Sequence, residues 1–205
     1  MRILYDRYGR DIARYNLAAC MLKHEARTQT IHQWTGLPAD RIRNLYRSYL
    51  HEQGAQNGNR HRGPPPQSAD FFLKSVAIRV EATALAGVCC ALGVIPAEPV
   101  ADAGREVPSV ARGECLCRAF EFYQSTVVAS ELTLDHAVLL VMALSHGQEL
   151  QIGRCGQCGI GILIDPLSTS RRICTYCRHE SGSQAQERGS TGITECPSYQ
   201  QGVLI

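Results

Sequence analysis

The residues best suited to chemistry are two pairs of cysteines towards the end of the chain. Cys155 and Cys158 stand in CGQCG, and Cys174 and Cys177 stand in CTYC, with fifteen residues between the pairs. Thiolates are strong ligands for zinc, and C-x2-C-x15-C-x2-C is a four-thiolate zinc spacing. A two-residue gap folds each pair into a tight turn, so both sulfurs face one centre. Gly156 and Gly159 sit where such a turn needs backbone freedom. Four protein ligands fill a tetrahedral shell and leave no position for water. The expected Zn2+, one per chain, is therefore structural and not catalytic. The rival readings are disulfides, or reduced thiols that bind nothing.

The elements that must position these sulfurs can be read around them. Gly161 to Ile164 reads as a short strand, Asp165-Pro166 starts a turn, and Arg171 to Ile173 reads as a returning strand. This predicts a zinc ribbon, two knuckles joined by a hairpin. So small a segment buries little core, and the metal would supply its folding energy. On a strand Arg171 and Arg172 would point to opposite faces, so only one of them could easily face a ligand.

The chain has 205 residues, 44% hydrophobic and 20% charged, an ordinary globular composition. Ten cysteines would suit a disulfide-rich secreted protein, but the opening MRILYDRYGR is charged and lacks an apolar signal core. The longest apolar run, 82–95, is too short to span a bilayer and predicts a buried helix. These features predict a cytoplasmic protein with no membrane segment. Cys20, Cys89, Cys90, Cys115 and Cys117 are then most simply small core residues. The net charge of +2 is unevenly spread. Residues 1–70 carry eleven Lys/Arg against six Asp/Glu, 71–150 carry five against nine, and 151–205 carry five against four. Basic or neutral ends around an acidic middle allow nucleic-acid contact at the ends; a solvated basic face would look the same.

Periodicity predicts a mainly α protein. Residues 1–50 read as N-terminal helices, with an apolar stripe through Ile12, Tyr15, Ala19, Leu22 and Ala26 over one long helix or two short ones. Thr35-Gly36-Leu37-Pro38 is a turn, and Pro38 and Asp40 suit the start of a following helix. That helix carries Ile42, Leu45, Tyr46 and Tyr49 on one stripe, with Arg41, Arg43 and Arg47 largely outside it. The result is a helix-turn-helix-like pattern with Ile31, Leu37, Ile42 and Leu45 as its buried contacts and the larger His32 where Ala is common. Residues 51–67 read as a flexible, Pro-rich linker. Residues 68–149 read as a helical core. Ser68 would cap a helix bearing Phe72, Val76, Val80, Ala84 and Val88, ended by Gly93 and Pro96. After a loop, Leu116, Phe120, Tyr123 and Val127 mark another helix, and Thr133 with Asp135 starts a last one, ended by Gly147. Residues 150–179 form the ribbon, and 180–205, with Cys196, read as a disordered tail.

Several chemistries lack their motifs. No phosphate-cradling G-x-x-x-x-G-K-[ST], no G-x-G-x-x-G after a strand, no H-E-x-x-H and no G-x-S-x-G occurs. Cys115 and His136 could pair as nucleophile and base, but both fall in predicted core helices. Nothing here argues for an enzyme.

The order of the parts resembles a known family, the flagellar transcriptional activator subunit FlhC, the C component of the bacterial flagellar master regulator. RIRNLYRSYL (41–50) resembles its R-x-x-x-LY-(K/R) segment, and RGPPPQSADFF (62–72) its triple-proline linker. RAFEFYQ (118–124) resembles its basic, aromatic helix, and LQIGRCGQCG (150–159) with ICTYCR (173–178) its two knuckles. The likeness covers roughly residues 11–179. The 51–62 linker is longer than the family's, the stretch between Pro66 and Asp70 is shorter, and no strongly basic stretch follows His179. The resemblance implies a helical body and Zn2+ held by Cys155, Cys158, Cys174 and Cys177. It also implies promoter DNA binding in a hetero-oligomer with a D-type subunit, and activation of flagellar genes with RNA polymerase. Candidate DNA contacts are Arg41, Arg43 and Arg47 on the second helix and Arg171, Arg172 and Arg178 on the ribbon. The rival is a zinc-ribbon subunit that binds protein only.

Overall fold

A computed structural model describes residues 2–52, 63–95, 108–169 and 171–179. Most of the predicted linker, Pro96, most of the 97–108 loop and the 180–205 tail with Cys196 lie outside the described residues. Six α-helices precede a two-stranded hairpin: α1 Arg2–Lys23, α2 Thr28–Thr35, α3 Ala39–Glu52, α4 Val76–Ala91, α5 Val110–Thr126 and α6 Leu134–His146, then β1 Gln151–Arg154 and β2 Gly161–Ile164. The protein is mainly α with a small β-hairpin and a cysteine cluster, as the composition and spacing predict. None of the described helices is long and apolar enough to cross a membrane.

The predicted first helical stretch is two helices. Glu25 adopts φ 57, in the left-handed region. Its N–H reaches the Leu22 carbonyl, and the Ala26 N–H reaches back to Met21. These two bonds cap the open carbonyls of α1 and turn the chain into α2. The buried face of α1 is Leu17, Ala18, Met21 and Leu22, whereas Ile12 is 44% exposed and Ala19 faces solvent. The predicted stripe was thus only partly right. Two apolar lines run along α1, and packing against α5 selects between them.

The turn between α2 and α3 is held by local bonds. Gly36 takes φ 68 and its N–H caps the His32 carbonyl, a backbone state that costs a β-carbon-free residue least. The His32 Nδ1 donates to the Leu37 carbonyl at 2.7 Å. The large residue at that position thereby fastens the turn. Ile31, Leu37 and Ile42 are buried, and Leu45 packs against the same core. α2 and α3 are thus packed helices joined by a glycine-capped turn, and α3 runs on to Glu52, past the predicted start of the linker.

Two predictions about the middle of the chain need correction. Ser68 makes no cap; it precedes a short 3-10 turn, Ala69–Leu73, and its hydroxyl donates to Asp70 instead. Ser75 caps α4 by accepting from the Ile78 N–H. The buried side of α4 is Ala82, Leu85, Ala86 and Cys89. Val76 and Val80, on the predicted core stripe, are 59% and 50% exposed. Apart from Arg79 and Glu81 this helix is apolar on most sides, so periodicity says little about which side faces the core.

One continuous apolar core joins these pieces. Leu17 and Met21, Trp34, Phe72, Leu85, Leu116, Phe120, Leu140, Leu150 and Leu163 belong to it. Two polar networks lie within or beside it. Tyr123 donates to Glu81 Oε2 at 3.0 Å, and the Ser130 hydroxyl donates to the same oxygen at 2.8 Å, joining α4, α5 and the approach to α6. Burial, above all, pushes the Tyr123 phenol up to about 12. Asp135, 2% exposed, takes Arg27 Nη1 at 2.7 Å, the Arg27 N–H at 3.3 Å and the Thr30 hydroxyl. The Thr133–His136 capping box begins α6 beside it.

Removing one partner of a buried ion pair strands the other. Arg27→Met should therefore lower unfolding free energy by about 3 kcal/mol, measured by urea titration. A loss indistinguishable from that of an exposed arginine substitution would show that the pair does not clamp α2 to α6.

Candidate functional site

The hairpin positions the first cysteine pair. Strand β1 pairs antiparallel with β2, Gln151 opposite Ile164 and Arg154 opposite Gly161. Cys155 to Ile160 is therefore the hairpin tip, closed by Cys155 N–H to the Ile160 carbonyl at 2.8 Å and Gly159 N–H to the Cys155 carbonyl at 2.9 Å. Gly159 needs φ 73 here; Gly156, also singled out in the sequence, has no positive φ. Side-chain alternation along β2 divides the labour. Leu163 is 2% exposed in the main core, while Ile162 packs against the cysteines.

The predicted hairpin partner was wrong. Residues 171–173 form no strand; they run beside the first turn, and the Arg172 carbonyl accepts the Gly156 N–H at 2.8 Å. The true partner of β2 is 151–154, upstream of both pairs. The second pair lies at the start of a helical stretch, 175–179. Its amides turn towards sulfur: Cys174 N–H to Cys155 Sγ at 3.2 Å and Cys177 N–H to Cys174 Sγ at 3.4 Å.

All four sulfurs lie within 4.8 Å of one another. Cys158 Sγ and Cys174 Sγ are 3.6 Å apart. Sulfurs about 2.3 Å from one tetrahedral ion stand about 3.8 Å apart, whereas a disulfide requires about 2.05 Å. The cluster therefore has the form of a metal shell and not of a disulfide, and it can hold a metal ion. Cys155, Cys174 and Cys177 are buried, and Cys158 is exposed. Backbone N–H groups, those of Cys158 first, then Cys174 and Gln157, lower the Cys155 thiol to about 6. Cys177 is pushed up to about 12, chiefly by its hydrogen bond to Cys174 and then by burial. Crowded sulfurs cannot all ionise alone, and a bound dication would remove that conflict.

The six predicted arginines fall into two sets. Arg41, Arg43 and Arg47 are exposed on α3. Arg41 donates to the Tyr15 hydroxyl, Arg43 pairs with Asp40 at 2.7 Å, and Arg47 donates to Asn44 at 3.4 Å. The second set lines a cleft of about 270 Å³ beside the hairpin: Arg171, Arg172 and Arg178, joined by Arg79 from α4. Both Arg171 and Arg172 line this cleft, and the strand on which the opposite-faces expectation rested is absent. Arg79 was missed because its only signal was a charge inside an apolar helix. Its Nη2 donates to the Leu73 carbonyl at 2.9 Å, and its buried Nε has no partner. Among the described residues, Asp165 is the one carboxylate on the cleft lining. The four guanidiniums make no ion pair among the described residues.

A second hollow, about 570 Å³, runs between the outer face of α4 and the cysteine turns. Val76, Val80, Ala84, Ile152, Ile160 and Tyr176 line it. The apolar face that sequence placed in the core thus forms one wall of an open groove. His136, weighed with Cys115 as a catalytic base, is committed to the α6 cap and stacks on Phe71 at 4.4 Å.

Compared with known proteins, the chain matches no family model and no curated sequence.

Cys174 touches both halves of the cluster. Cys174→Ser should reduce bound metal from one equivalent per chain towards zero by elemental analysis. The amide signals of 151–178 should shift while those of α5 and α6 hold. Full retention of metal in this variant would remove the cysteines as its ligands.

Proposed function

We propose that this chain is a cytoplasmic, DNA-binding transcriptional activator of flagellar genes, stabilised by one structural Zn2+ on Cys155, Cys158, Cys174 and Cys177. It would act in a hetero-oligomer with a D-type partner subunit and with RNA polymerase. The resemblance of the 41–50, 62–72, 118–124, 150–159 and 173–178 segments to the FlhC family supports this reading. The observation that carries it is the cleft where Arg79, Arg171, Arg172 and Arg178 meet one carboxylate. Phosphate contact supplies much of protein–DNA affinity, and guanidiniums match phosphate geometry well. Zinc with four thiolates carries net charge −2, so part of this positive charge also offsets the metal centre. The exposed Arg43–Asp40 pair, worth at most about 1 kcal/mol, leaves Arg43 free to exchange partners.

The rival reading is a zinc-ribbon subunit that binds protein only. The apolar groove walled by Val76, Val80 and Tyr176 favours it. Salt separates the two, since phosphate contacts release counterions and an apolar interface does not.

The complex with a D-type subunit would be assayed on promoter DNA across a salt series. Arg43→Ala with Arg47→Ala should weaken binding and lower the log–log salt slope by about two. Arg171→Ala with Arg172→Ala should do the same, because both line one cleft. Unchanged affinity and slope in both double variants would refute direct DNA contact by this chain. If Val80→Asp then abolished assembly with the partner, the protein-only reading would stand.

A further inference from the structure

Where α1 meets α5 there is a group of ligand-type side chains that neither the cysteine cluster nor the arginine cleft uses. Cys20 and His24 lie four residues apart on α1, and Glu121 lies on α5. One sulfur, one ring nitrogen and one carboxylate oxygen from these three residues all lie within 4.8 Å of one another. His24 Nε2 is 3.3 Å from Glu121 Oε1. The Phe120 ring packs edge-on to the imidazole with centroids 5.4 Å apart and orients it. Cys117, four residues before Glu121, hydrogen-bonds to Cys20. Residues four apart share a helix face, so α1 and α5 present paired donors to each other. Helical proteins build metal centres in this way.

The sequence placed Cys20 and Cys117 among plain core residues. Cys117 fits that description at 1% exposure. Cys20 does not, because it faces an imidazole and a carboxylate. The hydrogen bond from Cys117 and then that from His24 lower its thiol to about 5, towards the thiolate that binds metal. A surface cation now competes for the carboxylate: Lys23 Nζ lies 3.0 Å from Glu121 and is 62% exposed. An exposed pair of this kind is weak, so a dication can displace the lysine. The soft sulfur disfavours Mg2+ and Ca2+, and the mixed S, N, O set suits zinc and its neighbours.

We infer that Cys20, His24 and Glu121 form a second metal site, which takes a divalent transition ion of the zinc class. Three protein ligands leave the fourth position to solvent, on the side where Glu121 is 41% exposed. This ion is exchangeable, unlike one enclosed by four cysteines.

The full chain, purified with zinc and desalted, is titrated with Co2+. One further equivalent should bind, with a thiolate-to-cobalt charge-transfer band and the visible absorption of a four-coordinate ion. Cys20→Ser should remove that band. Glu121→Gln, a surface change that does not threaten folding, should weaken binding by more than the roughly 10- to 100-fold typical of losing an outer-shell partner. The inference fails if no cobalt binds with a thiolate band, or if uptake is unchanged in both variants. It fails equally if cobalt uptake responds only to Cys174→Ser, for the ion would then sit on the four cysteines. A Lys23–Glu121–His24 charge network alone predicts the first of these failures.

Discussion

A single buried carboxylate sets the geometry on which much of the fold depends. Asp135 is the only charged side chain in the fully buried core among the described residues. Removing a carboxylate from water is costly unless donors surround it. Here the Arg27 side chain, the Arg27 amide and the Thr30 hydroxyl all donate to it. Its place in the first turn of α6 adds the favourable end of a helix dipole. These bonds tie the start of α2 to the start of α6. From α2 the chain passes through Gly36 into the arginine-bearing α3, and from α6 through Leu150 into the hairpin. Both candidate functional regions thus descend from elements that meet at one carboxylate.

The hairpin depends on two different kinds of burial. Leu150 and Leu163 root it in the helical core. Among the described residues, its tip has only Ile162 and Ile173 packed against three buried cysteines. So little apolar surface cannot offset the entropy of ordering the turns, and coordination would have to make up the difference. Alternation along β2 lets one four-residue strand serve both ends.

A basic cleft and a largely apolar groove adjoin at this hairpin, and Arg79 and Arg178 line both. On one side Arg79, Arg171, Arg172 and Arg178 gather around a cleft. On another, the outer face of α4 and the cysteine turns leave an apolar groove. Guanidiniums gathered in one place repel one another unless anions stand near. A thiolate-bound dication and a nucleic-acid phosphate are both candidates for that role, and they place opposite demands on the same arginines.

The cysteine cluster, the helical character, the turn at Gly36 and the strand at Gly161–Ile164 were legible because each rests on local chemistry. Spacing alone brings Cys155 to Cys158 and Cys174 to Cys177, and Thr133 and Gly147 mark the limits of α6 by capping. Three features were decided only by tertiary structure. The buried face of α4 could not be read, since Val76, Val80, Leu85 and Cys89 are all apolar and the packing of α5, α6, the 69–73 turn and the hairpin distinguishes them. The partner of β2 could not be read, because a four-residue strand pairs with whichever segment the fold brings alongside, and Leu150 anchors 151–154 there. The groupings of Arg79 with Arg171 and of Cys20 with Glu121 join residues about a hundred positions apart. Sequence determines which side chains can bind a metal or a phosphate; packing of distant helices decides which of them meet, because contacts across such separations leave no periodic or spacing signal.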